Sequence, residues 1–158
     1  MSDFQHIPVL FYETVDALDI KPDGIYVDCT AGGGGHSAAV AEKLTTGRLI
    51  SIDQDPEAIA TLQKRFADNP KVTIVHDNFV NIKSVLSSLG IVGVDGVMAD
   101  LGVSSHQLDT DARGFSFHKD AQLDMRMSMS GVSAKDIVNN ASESELRRII
   151  FTYGEEKF

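Results

Sequence analysis

The chain has 158 residues, 42% of them apolar and 23% charged, and a formal net charge of −9. That balance is ordinary for a globular protein and argues against a generic basic nucleic-acid surface, because non-specific binding runs on Lys and Arg. The single cysteine, Cys29, excludes an internal disulfide, no Cys/His cluster has zinc spacing, and no apolar run approaches a membrane span.

The length sets one domain as the starting expectation. Met1 to Pro8 shows no basic stretch followed by an apolar one, so no signal peptide is expected and the chain reads as cytosolic. Glu13 to Leu18 reads as a short helix, closed by the turn cluster Lys21-Pro22-Asp23-Gly24. Ile25 to Cys29, β-branched and aromatic, reads as the first strand, with a buried thiol at Cys29. The run Gly32-Gly33-Gly34-Gly35 follows at once and opens a helix from Gly35 to Leu44 with apolar spacing. Arg48 to Asp53 is the second strand. Asp55-Pro56-Glu57 then places an N-cap, a first-turn proline and a first-turn acid ahead of a helix to about Ala67. Val72 to Asp77 is the third strand, Ile82 to Leu89 a helix, and Val94 to Asp100 the fourth strand.

After Ser104 the pattern changes. Gly102 to Arg113 reads as loop with at most one helical turn. Leu123 to Met129 alternates with period two, which predicts an extended, half-buried segment; a methionine-lined binding surface is the functional alternative. Ser133-Ala134-Lys135-Asp136 is a capped helix start. Ser142-Glu143-Ser144-Glu145 is a capping box leading into Leu146, Ile149, Ile150 and Tyr153, with Gly154 as the stop. Glu155-Glu156 reads as a fresh helix start interrupted at Phe158, so the chain is expected to be a fragment.

Strands alternating with helices predict an α/β fold with a doubly wound parallel sheet, in the order 3-2-1-4. Ligands of such sheets bind outside the carboxyl ends of the strands, where Asp28, Asp53 and Asp100 fall. A glycine-rich turn can take positive φ and let a ligand lie on the backbone, with the helix N–H groups facing it. Two ligands fit. Gly33 to Ala38 matches G-x-G-x-x-G/A, and Asp53 lies 18 residues past Gly35, as a dinucleotide site requires. Asp28 could instead take the ammonium of an amino-acid tail, and Asp100 closes the fourth strand where a methyltransferase would react. The residues favour the methyltransferase and leave a nicotinamide-binding domain open.

More specific motifs run the length of the chain. They are His6 to Leu10, Asp28 to Ser37, Ile52 to Ile59, Asp100 to Ser105 with Gln107 to Asp109, Arg113 to Phe117, Leu123 to Met127 and Tyr153 to Phe158. In these motifs and their order the chain resembles the bacterial ribosomal-RNA small-subunit methyltransferase H family, also called MraW. The resemblance implies a Rossmann-like, S-adenosylmethionine-dependent methyltransferase fold. The activity implied is methyl transfer to the exocyclic N4 amine of a cytidine in 16S rRNA of the small ribosomal subunit.

It further implies cofactor contacts at Gly34, Gly35, His36, Asp53, Phe79, Asp100 and Gln107, and no metal. Asp100 is the candidate catalytic group, as the acceptor for the amine hydrogens. Family members are roughly twice this length. The expectation is therefore the N-terminal half of a methyltransferase domain over residues 1–105 and the start of an inserted, mostly helical substrate-recognition domain over 106–158. Such a chain could bind cofactor without full activity. Its fourth strand would keep an unpaired edge at Val94 to Ala99, expected to promote self-association. Phe115 or Phe117 could stack on a base.

Overall fold

In this computed structural model, residues 10–157 are described. They form two compact units, one up to Gly102 and one from Val103. The His6 to Val9 part of the first motif and Phe158 lie outside the described residues.

In the first unit, helix α1 (Phe11–Ala17) precedes strand β1 (Ile25–Asp28), followed by α2 (Gly35–Lys43), β2 (Arg48–Asp53), α3 (Pro56–Arg65) and β3 (Val72–His76). A single 3-10 turn, Phe79–Asn81, leads into α4 (Ile82–Ser88) and then β4 (Gly96–Met98). The sheet is parallel throughout, in the order β3-β2-β1-β4. This is the order that strand–helix alternation predicts, because each right-handed crossover lays its helix on one face of the sheet.

The strand period of two sorts the core. Tyr26 and Leu49 pack with Val40, Ala41 and Leu44 of α2. Their neighbours in sequence, Val27 and Ile50, face the other way and join Cys29, Ile52 and Val85 of α4. Ala31 meets Ile59, Leu62 and Phe66 of the α3 segment. Entry to α3 follows its sequence signature: Asp55 accepts a hydrogen bond from the Glu57 N–H at 3.0 Å, and Pro56 takes the first turn.

Strand β4 is shorter than the sequence suggests. Its predicted span, Val94 to Asp100, reduces to Gly96–Met98. Before it, the Asp95 carboxylate accepts the Ile25 N–H at 2.9 Å. After it, the Asp100 N–H leaves the ladder and donates to Thr30 Oγ1 at 2.7 Å. Gly96 lets two side chains close over the strand: a Cβ there would come within 2.9 Å of Leu18 and 3.0 Å of Tyr26.

The second unit is helical: α5 (Ser105–Asp109), a 3-10 turn (Asp111–Arg113), α6 (Ala134–Asn140) and α7 (Glu143–Tyr153). Ser104 and Gln107 form a capping box that makes α5 more than the expected loop. The predicted extended segment Leu123 to Met129 does not form. Met125 and Met129 take left-handed φ of 59° and 57°. Asp124 accepts from the Arg126 backbone and guanidinium, and Arg113 donates to the carbonyls of Arg126 and Met127. Side-chain bonds to the backbone compete with a strand that has no neighbour to pair with.

At α7 only half of the predicted box forms. Ser142 accepts from the Glu145 N–H, whereas the Glu145 carboxylate goes to Arg148 at 2.8 and 3.0 Å. Gly154 caps α7 with an ordinary right-handed φ of −90°, and Glu155 carries the positive φ of 54°. The predicted helix start at Glu155-Glu156 is absent.

Candidate cofactor site

The residues at the ends of β2 and β4 meet the turn after β1, through Asp53 and Asp100. Asp28, the last residue of β1, is 2% exposed. Its register partner on β2 is Ser51, and both lie on the α2 side of the sheet. Ser37 of α2 donates to Asp28 Oδ2 at 2.7 Å and lies 2.8 Å from Ser51 Oγ. The Thr30 N–H reaches Asp28 Oδ1 at 3.2 Å. Burial pushes the Asp28 carboxyl above its ordinary value of 3.8, against the lowering effect of the Ser37 and Thr30 bonds. Asp28 thus ties β1 to α2 and β2 from inside. The expectation that it meets an ammonium group fails, because the carboxylate is buried and already engaged.

The glycine run does what its position requires. Gly32 has φ +52°, and its N–H donates to Asp53 Oδ2 at 2.7 Å. Gly33 is exposed, and a Cβ there would meet nothing within 4 Å. Gly34 caps α2 at φ 79° and donates to the Ala31 carbonyl at 2.7 Å. A Cβ on Gly34 would press on Leu62 at 2.9 Å and Phe66 at 3.0 Å. Among the described residues no side chain caps the start of α2, so the first N–H groups, at Gly35 and His36, suit an anionic ligand group.

His36 is 8% exposed, and its ring stacks on Phe11 of α1 at 5.2 Å between centroids, 29° from parallel. Its Nε2 is buried with no hydrogen-bond partner among the described residues. A buried polar atom without a partner is costly, so this one fits a site that a ligand completes.

Asp53 ends β2. Besides Gly32, it accepts the Asp55 N–H on Oδ1 at 2.8 Å. A carboxylate has about four lone-pair sites, so acceptor capacity remains for two hydroxyl groups. Beyond β3, the Asp77 N–H donates to the Asp53 carbonyl, and Asn78 Nδ2 bonds Gln54 Oε1 at 2.8 Å. Phe79 stands next to this junction, 40% exposed, with aromatic surface unspent on the core. Asp100 is exposed beyond β4, its backbone held by Thr30.

Gly34, Gly35, His36, Asp53, Phe79 and Asp100 therefore share one end of one sheet. Gln107 belongs to the second unit, where it is 5% exposed and its Oε1 accepts the Ser104 N–H at 3.1 Å. Phe117, in the same unit, is 98% exposed. Among the described residues no three His, Cys, Asp or Glu side chains converge to hold a metal ion, and no helix is long and apolar enough to cross a membrane. Sequence reading missed four contributors: Thr30, Ser37, Ser51 and Phe11. Only strand register and helix placement bring these to the loop.

The MraW methylase family matches residues 3–158. The chain belongs to that family. A relative named ribosomal RNA small subunit methyltransferase H, from Clostridium botulinum strain 657, is 54% identical over 99% of this chain and 51% of its own length. The protein of that name from Chromobacterium violaceum is 52% identical over 98% of this chain and 49% of its own. The chain thus spans about half the length of the curated relatives it matches. Among solved structures, a candidate rRNA-methylase from Clostridium thermocellum superimposes with a TM-score of 0.54 at 25% identity, covering 64% of this chain and 57% of its own. A candidate methyltransferase from Streptococcus mutans, solved in complex with SAH, gives 0.53 at 15% identity, over 63% of this chain and 56% of its own. The MraW chain described here therefore has the Rossmann-like methyltransferase fold over its first unit.

Two predictions follow from the site's packing. Gly34→Ala, at positive φ against Leu62 and Phe66, should cost about 1–3 kcal/mol in chemical denaturation. Gly33→Ala, one residue earlier in open space, should stay within about 0.5 kcal/mol of wild type.

The second concerns pH. An acid with a raised folded pKa keeps its proton in the fold after the unfolded chain has released one. Its contribution to stability falls as pH rises from the ordinary 3.8 towards the folded value, and does not change below that window. The stability of wild type minus that of Asp28→Asn should therefore decline with rising pH above 3.8. A difference that is flat or rises would show Asp28 to be ionised at no cost.

Proposed function

We propose that this chain carries the cofactor-binding part of an S-adenosylmethionine-dependent methyltransferase. Its substrate on this reading is the exocyclic N4 amine of a cytidine in 16S rRNA of the small ribosomal subunit. The observation that carries the proposal is the uncapped start of α2 behind an open glycine turn, with Asp53 on one side and Asp100 on the other.

The fit is chemical. The Gly35 and His36 N–H groups suit a carboxylate, Asp53 suits a pair of ribose hydroxyls, and Phe79 offers a face to adenine. Gln107 enters through the family pattern, with its side-chain oxygen serving Ser104 in its own unit. When bound, S-adenosylmethionine supplies an electrophilic methyl group on a sulfonium.

The chain's own residues then have a limited task. A cytidine amine is a weak nucleophile, because its lone pair is delocalised into the ring. Orientation at near-contact distance is the main source of rate. Asp100 accepts a hydrogen bond from the amine, which orients the nitrogen and draws on its proton as the new bond forms. The Thr30 hydroxyl fixes the backbone from which Asp100 acts. Phe117, almost wholly exposed, suits stacking on a base, worth ~1–3 kcal/mol. A net charge of −9 argues against non-specific RNA binding, so the cytosolic RNA substrate would be held by local patches, by sequence outside this chain or as a preassembled particle.

A second reading rests on the length of the relatives: the chain alone binds cofactor without turning over. Titration with S-adenosylmethionine, S-adenosylhomocysteine and NAD, followed by methyl transfer to small ribosomal subunits, separates these readings. Binding of the first two, with NAD silent, is the expected result. Asp53→Ala should weaken S-adenosylmethionine about 10- to 150-fold, the equivalent of a hydrogen bond to a charged group. Calorimetry showing less than a threefold loss would contradict the assignment.

The outer edge of β4 pairs with no strand among the described residues, and Val97 on it is 48% exposed. An open edge templates pairing with another chain, so self-association belongs to the proposal. Sedimentation should show a mass that grows with concentration, and Val97→Lys should return the chain to monomer.

A further inference from the structure

We infer that Arg65 is a positioning residue for the amino-acid end of the cofactor, an assignment that rests on the proposed cofactor reading. Arg65 is the last residue of α3, and its Nη1 donates to the Gly33 carbonyl at 2.9 Å, across 32 residues of sequence. That carbonyl sits on an exposed turn, where water would satisfy it equally well. A guanidinium held there points to a need for one particular peptide orientation.

The other side of the same peptide is also tied. The Gly34 N–H donates to the Ala31 carbonyl at 2.7 Å. Gly33 and Gly34 lack the Cβ atoms that restrict other residues, so the peptide between them is free to flip unless both ends are held. Flipping would turn a carbonyl oxygen away from Arg65. The same rotation would take the Gly34 N–H out of its bond to the Ala31 carbonyl. The start of α2 presents donors, and an ectopic carbonyl there would repel a ligand carboxylate. Arg65 favours the unflipped turn and adds a positive charge beside that helix start. Leu62 and Phe66, which a Gly34 Cβ would strike, back the turn from the same helix, so the buttress is a surface of α3 and Arg65 is its polar edge.

This predicts an effect restricted to one end of the ligand. S-adenosylhomocysteine carries the amino-acid tail, and 5′-methylthioadenosine carries the same nucleoside without it. In calorimetry on the full 158-residue chain, Arg65→Ala should weaken S-adenosylhomocysteine about 5- to 20-fold, less than a buried charged bond would, because the guanidinium is exposed. Its affinity for 5′-methylthioadenosine should stay within about twofold, which also shows that the variant is folded. Arg65→Lys, which keeps a charged donor, should recover S-adenosylhomocysteine binding to within about threefold of wild type. Unchanged S-adenosylhomocysteine affinity in Arg65→Ala would overturn the inference. So would equal losses for both ligands, the mark of a merely structural role. Wild-type chain that binds neither compound would instead bring down the cofactor reading, and this inference with it.

Discussion

The Asp53 carboxylate ties the turn after β1 to the entry of α3 at the end of β2. One oxygen holds the Gly32 N–H of the turn after β1, the other holds the Asp55 N–H at the entry to α3. The strand end itself receives the Asp77 N–H from beyond β3. Charge-assisted bonds to backbone donors are short and strong. A single side chain thus sets the height of the glycine turn against the sheet and the direction in which α3 departs. The residue the family pattern marks for the cofactor's sugar is also the one that builds the floor beneath it. On the proposed cofactor reading, the same carboxylate that would hold the ligand also holds the loop.

Beneath that floor lies a second polar knot, hidden from solvent. Asp28, Ser37 and Ser51 come from β1, α2 and β2, and all three are almost fully buried. The Asp28 carboxyl in that place accepts from a hydroxyl and a backbone amide, and the nearby His36 adds a smaller favourable charge interaction. Hydrophobic packing would hold these elements together equally well, since Val40, Ala41 and Leu44 already do so. What the polar contacts add is register: an unpaired buried polar group is costly, so a one-residue slip of β1 on β2 is strongly disfavoured. The register of β4 on β1 in turn keeps the Thr30 hydroxyl within reach of the Asp100 N–H, and hence links the strand that carries the turn to the strand that carries the candidate reactive acid.

The second unit is organised by different means. Buried Arg113 holds two carbonyls of the Arg126–Met127 stretch, and Asp124 pairs with Arg126 at 2.6 Å. That pairing holds the Asp124 carboxyl down to about 2. Gly114 admits the chain so closely that a Cβ would overlap the Gln122 carbonyl and meet the Asp124 amide. The motifs that begin at Arg113 and Leu123, ten residues apart in sequence, are two sides of one hydrogen-bonded knot. Their value as a family signature has a structural basis: each charged residue has its partner in the other motif or in its own turn.

Local chemistry alone settled much of this protein. Alternating strands and helices, the cap at Asp55-Pro56 and the glycine turn between strand and helix implied the parallel sheet, its order and the end at which a ligand would sit. These features act within a few residues, so they can be read along the chain. The extent of β4, the turn at Met125 and Met129, the diversion of Glu145 to Arg148 and the burial of Asp28 could not be read that way. Each is decided by a partner distant in sequence or by a competing side chain, and periodicity carries no information about either. The same holds for Thr30, Phe11 and Arg65: residue type announces what they can donate, accept or stack on, and only the packed fold determines what they reach.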